Sequence, residues 1–416
     1  MKRKVMVSCL ALTLSAAVLA GCGGSGSSSG SSSSAAPAEE ETKEEAATEE
    51  ATEEAAAENT ADAAETIEGV DDMYLVVADG QNPTHACNKF LGTPWLERVN
   101  ELSGGAITYD LFTGGELVPL GNEIAALEQG TCDVTMSIIP GYYPALFPMS
   151  SVANLPVAMV DETIASYAWL DMMNSDKVLK DGKTFYQLEY EDNNLKIFAN
   201  TMSSPYQIIG KGEVWDSVDD FSEKWRIRAG STAQQLMSTN LGLAQVSCTA
   251  TECADNMSRN AMEGLYGTAD WMSYGYHEAA DWVIDGVMGP GQVYIGISLD
   301  KWNSWTPEQQ ECFEKAYSDL IDSAIAARPE DYKAAWDDLE NRVGAKHLYL
   351  SDLNQEVQDY ISAAAVKTWY DWIDTIEEQG APGKEAAILW RDCLVAHGGQ
   401  VFEELNDLES YVPGSR

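Results

Sequence analysis

The sequence predicts an α/β protein of two lobes, exported from the cell behind an N-terminal tether. Three observations carry this reading. They are a leader of secretory layout, a stretch with nothing to fold around, and two successive sets of β-rich segments alternating with amphipathic helices. Lys2, Arg3 and Lys4 open the leader, residues 5–20 are apolar, and small residues follow, which is the layout of a cleaved secretory signal.

Residues 23–72 carry no foldable pattern. Residues 23–34 are almost pure Gly and Ser, and 39–68 form an Ala/Glu/Thr run without an aromatic residue. Such a segment cannot bury enough apolar surface to offset its chain entropy. Gly/Ser stretches stay flexible and like-charged ones extend by self-repulsion, the behaviour a tether needs. About 340 residues follow, enough for two lobes with separate cores.

In the first set, residues 74–77, 106–112 and 133–139 read as strands, with helices over 86–102 and 120–128 and a turn at Gly114-Gly115. The second set has strand-like segments at 195–199, 206–209, 225–229, 245–248 and 261–266, with helices over 232–240 and 251–260. This alternation predicts a parallel sheet covered by helices. Residues 216–220 read as a turn into the second lobe. Thr306-Pro307-Glu308 is a strong helix start, with a Thr cap, Pro in the first turn and an acid beside it. That helix is expected to run to about residue 327, and most of 331–408 is expected to be helical. Open α/β sheets bind ligands in the crevice at the carboxyl ends of their strands, and a hinge between lobes allows closure over a small molecule.

A net charge of −42 excludes nucleic acid and anionic lipid surfaces as partners. It also means that a cationic side chain recognising an anion must act locally, inside a cleft. Cys87, Cys132, Cys248, Cys253, Cys312 and Cys393 allow 15 pairings, among which the sequence does not choose. Neither they nor the scattered His85, His277, His347 and His397 have the spacing of a metal site. There is no G-x-S-x-G elbow and no Walker loop. An exported enzyme would need a nucleophile–base pair or paired carboxylates in the cleft, and no motif supplies one. No catalytic residue, metal or cofactor is expected.

Several stretches in order resemble the DctP-like solute receptors of TRAP (tripartite ATP-independent periplasmic) transporters, and the resemblance covers nearly all of 73–325. The first-lobe strand and its turn are matched by Gly105-Ala106-Ile107-Thr108-Tyr109-Asp110-Leu111-Phe112-Thr113-Gly114-Gly115-Glu116-Leu117. Leu127-Glu128-Gln129-Gly130-Thr131-Cys132-Asp133-Val134 and Asn154-Leu155-Pro156 follow in their places. Asp220-Phe221-Ser222-Glu223-Lys224-Trp225-Arg226-Ile227-Arg228 resembles the family's Asp-Leu-Lys-Gly-x-Lys-Ile-Arg signature. Asn260-Ala261-Met262-Glu263-Gly264 replaces the usual Gly-x-Val-Asp-Gly, and 302–310 closes the pattern. Leu19-Ala20-Gly21-Cys22 resembles a lipobox, which implies a lipid on Cys22 and attachment to the cell membrane.

The resemblance implies a periplasmic-binding-protein-like clamshell (type II) with hinge crossovers and a long helix spanning both lobes, to which the residue pattern adds a helical C-terminal region. It implies a signal peptide over 1–21, a tether over 22–72, and a first lobe over 73–203 to which about 292–330 return. The second lobe would be 204–291; the resemblance fades beyond about residue 331, and the helical region 331–416 is expected to pack behind the lobes or to mediate dimerisation. The expected function is capture of a small organic acid and its delivery to a TRAP permease. A receptor for an ABC importer or a sensory partner is the alternative.

Arg228 matches the family's ligand-anchoring arginine, and a guanidinium's planar fork suits a carboxylate. Arg226, two residues earlier on the same strand, is a second candidate. A further family arginine aligns with Tyr206, next to Gln207, and a family Asn aligns near Gly267. Positions that carry charged contacts in sialic-acid receptors align with Ile138 and Gly141, which does not fit sialic acid. One arginine with Tyr142, Tyr143, Tyr206, Tyr266 and Trp271 points to a monocarboxylate or a partly aromatic ligand, unless these rings are core packing. Asp79, ending the first strand, would meet a ligand hydroxyl or amine, or cap a turn.

Overall fold

The computed structural model describes residues 65–416. The leader, Cys22 and most of the expected tether lie outside the described residues. From Glu65 onward the chain already packs: Ile67 donates its N–H to the Leu102 carbonyl at 2.7 Å, and Ile67 and Val70 lie against a core of Trp95, Phe198, Trp302 and Phe313.

In chain order the strands are β1 (Met73–Ala78), β2 (Ile107–Phe112), β3 (Val134–Ile138), β4 (Val178–Lys180), β5 (Lys183–Thr184), β6 (Leu195–Ala199), β7 (Gln207–Gly210), β8 (Arg226–Arg228), β9 (Ala244–Val246), β10 (Gly264–Gly267), β11 (Trp282–Asp285), β12 (Tyr294–Ser298) and β13 (Lys346–Tyr349). They form a 5-stranded sheet of order β2-β1-β3-β12-β6, a 6-stranded sheet of order β13-β11-β7-β10-β8-β9, and the small β4-β5 pair.

The first sheet begins as the strand–helix alternation predicts. β1 pairs in parallel with β2 and β3. The crossover helix Thr93–Leu102 buries Trp95, Leu96, Val99 and Leu102, one apolar stripe at helical spacing. Every residue of β3 is buried, as befits a strand covered on both faces. The sheet is not wholly parallel, however. β12 returns from the second lobe and lies antiparallel to β3 and β6, which a local reading of strand–helix units does not register.

Three connections join the sheets: the helical one from β12 to β13 and two short crossovers. One runs from β6 to β7 and the other from β11 to β12, and they lie side by side. Asn200 bonds the Val293 carbonyl at 3.0 Å, Ser203 that of Gly291 at 3.0 Å and Tyr206 that of Gly289 at 3.2 Å. Bending this antiparallel ribbon is the way one sheet would move against the other.

The helix opened by Thr306 runs over Pro307–Asp338, through Pro329. Its capping box is present, but its expected end near 327 is corrected. A proline lacks the N–H that would bond the carbonyl four residues earlier. Tertiary contacts on either side carry the helix past it: Arg328 is paired with Asp270, and the Tyr332 hydroxyl donates to Asp285 at 2.8 Å.

Beyond it, helices Gln355–Glu378 and Gly383–Ala396 pack behind both sheets. Trp369 Nε1 donates to the Pro156 carbonyl at 2.6 Å, Asn240 Nδ2 to Asp371 at 2.9 Å, and Trp390 meets Trp169 edge-on at 5.5 Å. This region also contributes β13, which pairs in parallel with β11 at the edge of the second sheet.

Candidate functional site

The loops that follow β3 and β8 touch. A Cβ built on Gly141 would lie 2.3 Å from the Gly230 carbonyl oxygen, so this backbone-to-backbone approach requires glycine. The two sheets therefore meet directly at the carboxyl ends of these strands.

Arg228 ends β8 and is 1% exposed. Its Nε donates to the Cys248 carbonyl at 3.1 Å. Its guanidinium lies against the bare backbone of Gly230, where a Cβ would be 2.4 Å from Nη2. Gln234 fixes that backbone by accepting the Gly230 N–H at 2.7 Å. Tyr142, Tyr206, Cys248 and Cys253 are near enough to act electrostatically on the cation. Burial raises both phenols above their ordinary value while the Arg228 charge opposes that rise. Tyr142, from the loop after β3, accepts the Ala250 N–H of the other sheet at 3.0 Å.

Beside Tyr206 lies a small cavity of about 10 Å³, walled by His85, Cys87 and Ile139 on one side and Asp270 and Gly291 on the other, room for about one water molecule. His85 Nε2, in this wall, and both polar atoms of the Gln81 amide, four residues earlier in the chain, are buried with no hydrogen-bond partner among the described residues. Buried polar atoms are rarely left so. His85 is held neutral by burial, which lowers it to about 4. An open groove beside Lys196, Glu314 and Tyr317 is larger, but no residue of β8 lines it.

Of the residues expected from sequence, the structure brings together Arg228, Tyr206 and Tyr142. It places the others differently. Arg226 forms a fork with Glu263, at 2.5 Å from Nη2 and 2.9 Å from Nε, and is not part of the group. Gln207 follows Tyr206 and points the opposite way, as strand alternation requires; its Nε2 meets Tyr332 at 3.2 Å and Asp285 at 3.4 Å. The Tyr143 hydroxyl is bonded to the Glu123 carboxylate and accepts the Glu123 N–H at 2.8 Å. Tyr266 is wholly buried, with its hydroxyl 3.4 Å from Ser238 Oγ. Trp271 lies on the 3-10 turn Ala269–Tyr274 after β10.

Asp79 caps a turn: it accepts the Gln81 N–H at 2.9 Å and is bonded by the Asn88 amide. Burial raises it to about 6 despite these bonds. A carboxyl whose folded value is raised is protonated more readily in the native state, so its contribution is present below the unfolded value near 4 and lost as pH rises through about 6. Stability should therefore rise by about 1–3 kcal/mol from this group as pH falls from 7 to 4. Urea melts of wild type and Asp79→Asn across that range should show a shallower slope in the variant, where the Asn88 amide can turn to meet the new one.

Sequence reasoning missed Gln81, His85, Gln234 and Asp270. The signal available for the first two was position, since 81–85 directly follow the carboxyl end of β1.

Residues 77–359 match the model of bacterial extracellular solute-binding proteins, family 7, DctP. The chain belongs to this family. This DctP-family member is an extracellular solute-binding protein, not an enzyme. It is similar to a marine-metagenome TRAP solute-binding protein specific for aromatic acids, in complex with metahydroxyphenylacetate, at TM-score 0.66, 17% identity, 79% of this chain and 100% of that one. A Rhodoferax ferrireducens TRAP solute-binding protein with copurified benzoate gives TM-score 0.64 at 15% identity, covering 78% and 98%. The Bordetella pertussis receptor DctP7, binding pyroglutamic acid, gives 0.66 at 12%, covering 77% and 99%. At these identities the likeness concerns the fold. No curated protein matches the chain.

Proposed function

We propose that this receptor binds a small organic monocarboxylate between its two sheets, with Arg228 as the anchor, and delivers it to a TRAP permease. The observation that carries the reading is the Arg228 guanidinium, 1% exposed at the point where the sheets meet and surrounded by phenols. Withdrawing a cation from water is costly, and a carboxylate offers it paired, charge-assisted bonds. Tyr142 and Tyr206 flank the anchor with rings suited to an aromatic or otherwise flat acid, and the neighbours' aromatic acids and pyroglutamate fit that description. Gln81 and His85 offer directional polar groups to the ligand's other end.

Residues 73–203 with about 292–330 act as one lobe and 204–291 as the other, hinged at the paired crossovers, with 331–416 as a brace behind them. The Leu19-Ala20-Gly21-Cys22 segment supports a lipid on Cys22 as the membrane anchor.

The test is a thermal-shift screen with benzoate, 3-hydroxybenzoate, mandelate, pyroglutamate, sugars and amino acids. An acid at a hundred times its Kd should add about 2.7 kcal/mol of stability. Stabilisation by sugars alone, with every acid inert, would refute the reading.

A further inference from the structure

All six described cysteines are free. Two of them, Cys248 and Cys253, place their sulfurs 3.9 Å apart. They frame the segment that follows β9 and reaches across to the other sheet. Within it the Cys248 carbonyl accepts Arg228 Nε at 3.1 Å, and Ala250 donates its N–H to Tyr142 at 3.0 Å.

The two thiols are unlike. Cys253 is fully buried, while Cys248 is partly exposed. The Cys248 sulfur faces the Cys253 sulfur, the Asn256 side chain and the Arg228 charge, while the Cys253 thiol also reaches the Thr249 carbonyl at 3.4 Å. All three favour its thiolate and hold it below its ordinary value. The neighbouring Cys248 sulfur, and then burial, push Cys253 up. An accessible thiolate beside a buried protonated thiol is the arrangement of an attacking cysteine with its resolving partner. An extracytoplasmic receptor also works where disulfides form and persist.

We propose that Cys248 and Cys253 are a redox-active dithiol, closing reversibly to a disulfide that ties down the segment holding Arg228 and Tyr142. The Cys248 thiolate attacks one sulfur of a small-molecule disulfide, forming a mixed disulfide and expelling one thiolate. Cys253 gives its proton to water, attacks Cys248 Sγ and expels the second thiolate. The cysteine pair loses two electrons, and the small disulfide is reduced to two thiols. The sulfurs need to approach by about 1.9 Å to bond. That displacement falls on the segment bonded to Arg228 and Tyr142, so the redox state sets how firmly the lobes are joined there.

The experiment equilibrates the full chain with mixtures of oxidised and reduced glutathione. Remaining thiols are alkylated at low pH and the peptides mapped by mass. Wild type should lose two thiols to a link between Cys248 and Cys253, reversed by dithiothreitol. Cys253→Ala, which keeps a small apolar side chain at the buried position, should instead hold glutathione on Cys248. Amide exchange at 248–253 should slow in the oxidised wild type. Glutathione persisting on Cys248 in wild type, both thiols remaining alkylatable, or the link mapping to other cysteines would overturn the proposal. Cys253→Ser serves as the second variant, with the same mixed disulfide expected.

Discussion

Replacing Arg328 with alanine is expected to lower stability by about 3–5 kcal/mol. Arg328 comes from the long helix Pro307–Asp338 and Asp270 from the turn after β10, with side chains 2% and 4% exposed. Their bond ties the helix that braces the first sheet to a loop of the second, and Arg328 also meets Asp331 of its own helix at 3.5 Å. Removing the arginine leaves a carboxylate in a site from which water is excluded, beside His85 and Tyr206. Breaking a buried pair costs more than the pair itself contributes, because one charge is left uncompensated. Urea melts of Arg328→Ala, Asp270→Asn and the double variant check this. The double variant should lose less than the sum of the two. A loss below about 1 kcal/mol in Arg328→Ala would show that Asp270 finds another partner.

The second large effect falls on ligand affinity. Arg228→Ala should weaken binding of the recognised acid at least about a hundredfold, since a fork to a carboxylate makes two bonds of roughly 1.5–3 kcal/mol each. Arg228→Lys should recover part of that loss, because it keeps the charge but loses the planar fork. Neither variant is expected to abolish folding, since a desolvated cation contributes little net stability. Isothermal titration with the acid found by screening reads the affinities. Equal affinities in wild type and Arg228→Ala would remove the anchor.

Much of the fold was legible because the local patterns were strong. The strand Leu195–Ala199 and the helix Thr232–Asn240 fall at the expected residues, the latter set by Ser231, whose side chain caps the Gln234 N–H. The features that escaped were non-local. Strand β13 is half exposed and gains its identity from pairing with β11. The antiparallel return of β12 depends on where a chain arrives after two lobes, and the helix through Pro329 on contacts far away in sequence.

The site divides the same way. Arg228 was found from its signature, but its neighbours depend on which strand face each side chain takes. Thus Tyr206 joins the anchor while Gln207 turns to Tyr332 and Asp285. The acids that claim Arg226 and Tyr143, Glu263 and Glu123, each lie beyond the reach of a local pattern. Gln81 and His85 carry no motif, and only buried polar atoms without partners, the Gln81 amide and His85 Nε2, mark them.

The central claim, an arginine-anchored carboxylate receptor, is tested most directly by comparing an acid with its own amide. Benzoate and benzamide, or whichever acid stabilises the protein and its neutral amide, would be titrated side by side by calorimetry. The account predicts binding of the acid and a loss of at least about a hundredfold for the amide, which fills the same space without the charge. Equal affinity for both would contradict it, because the ligand's carboxylate would then have no bearing on recognition.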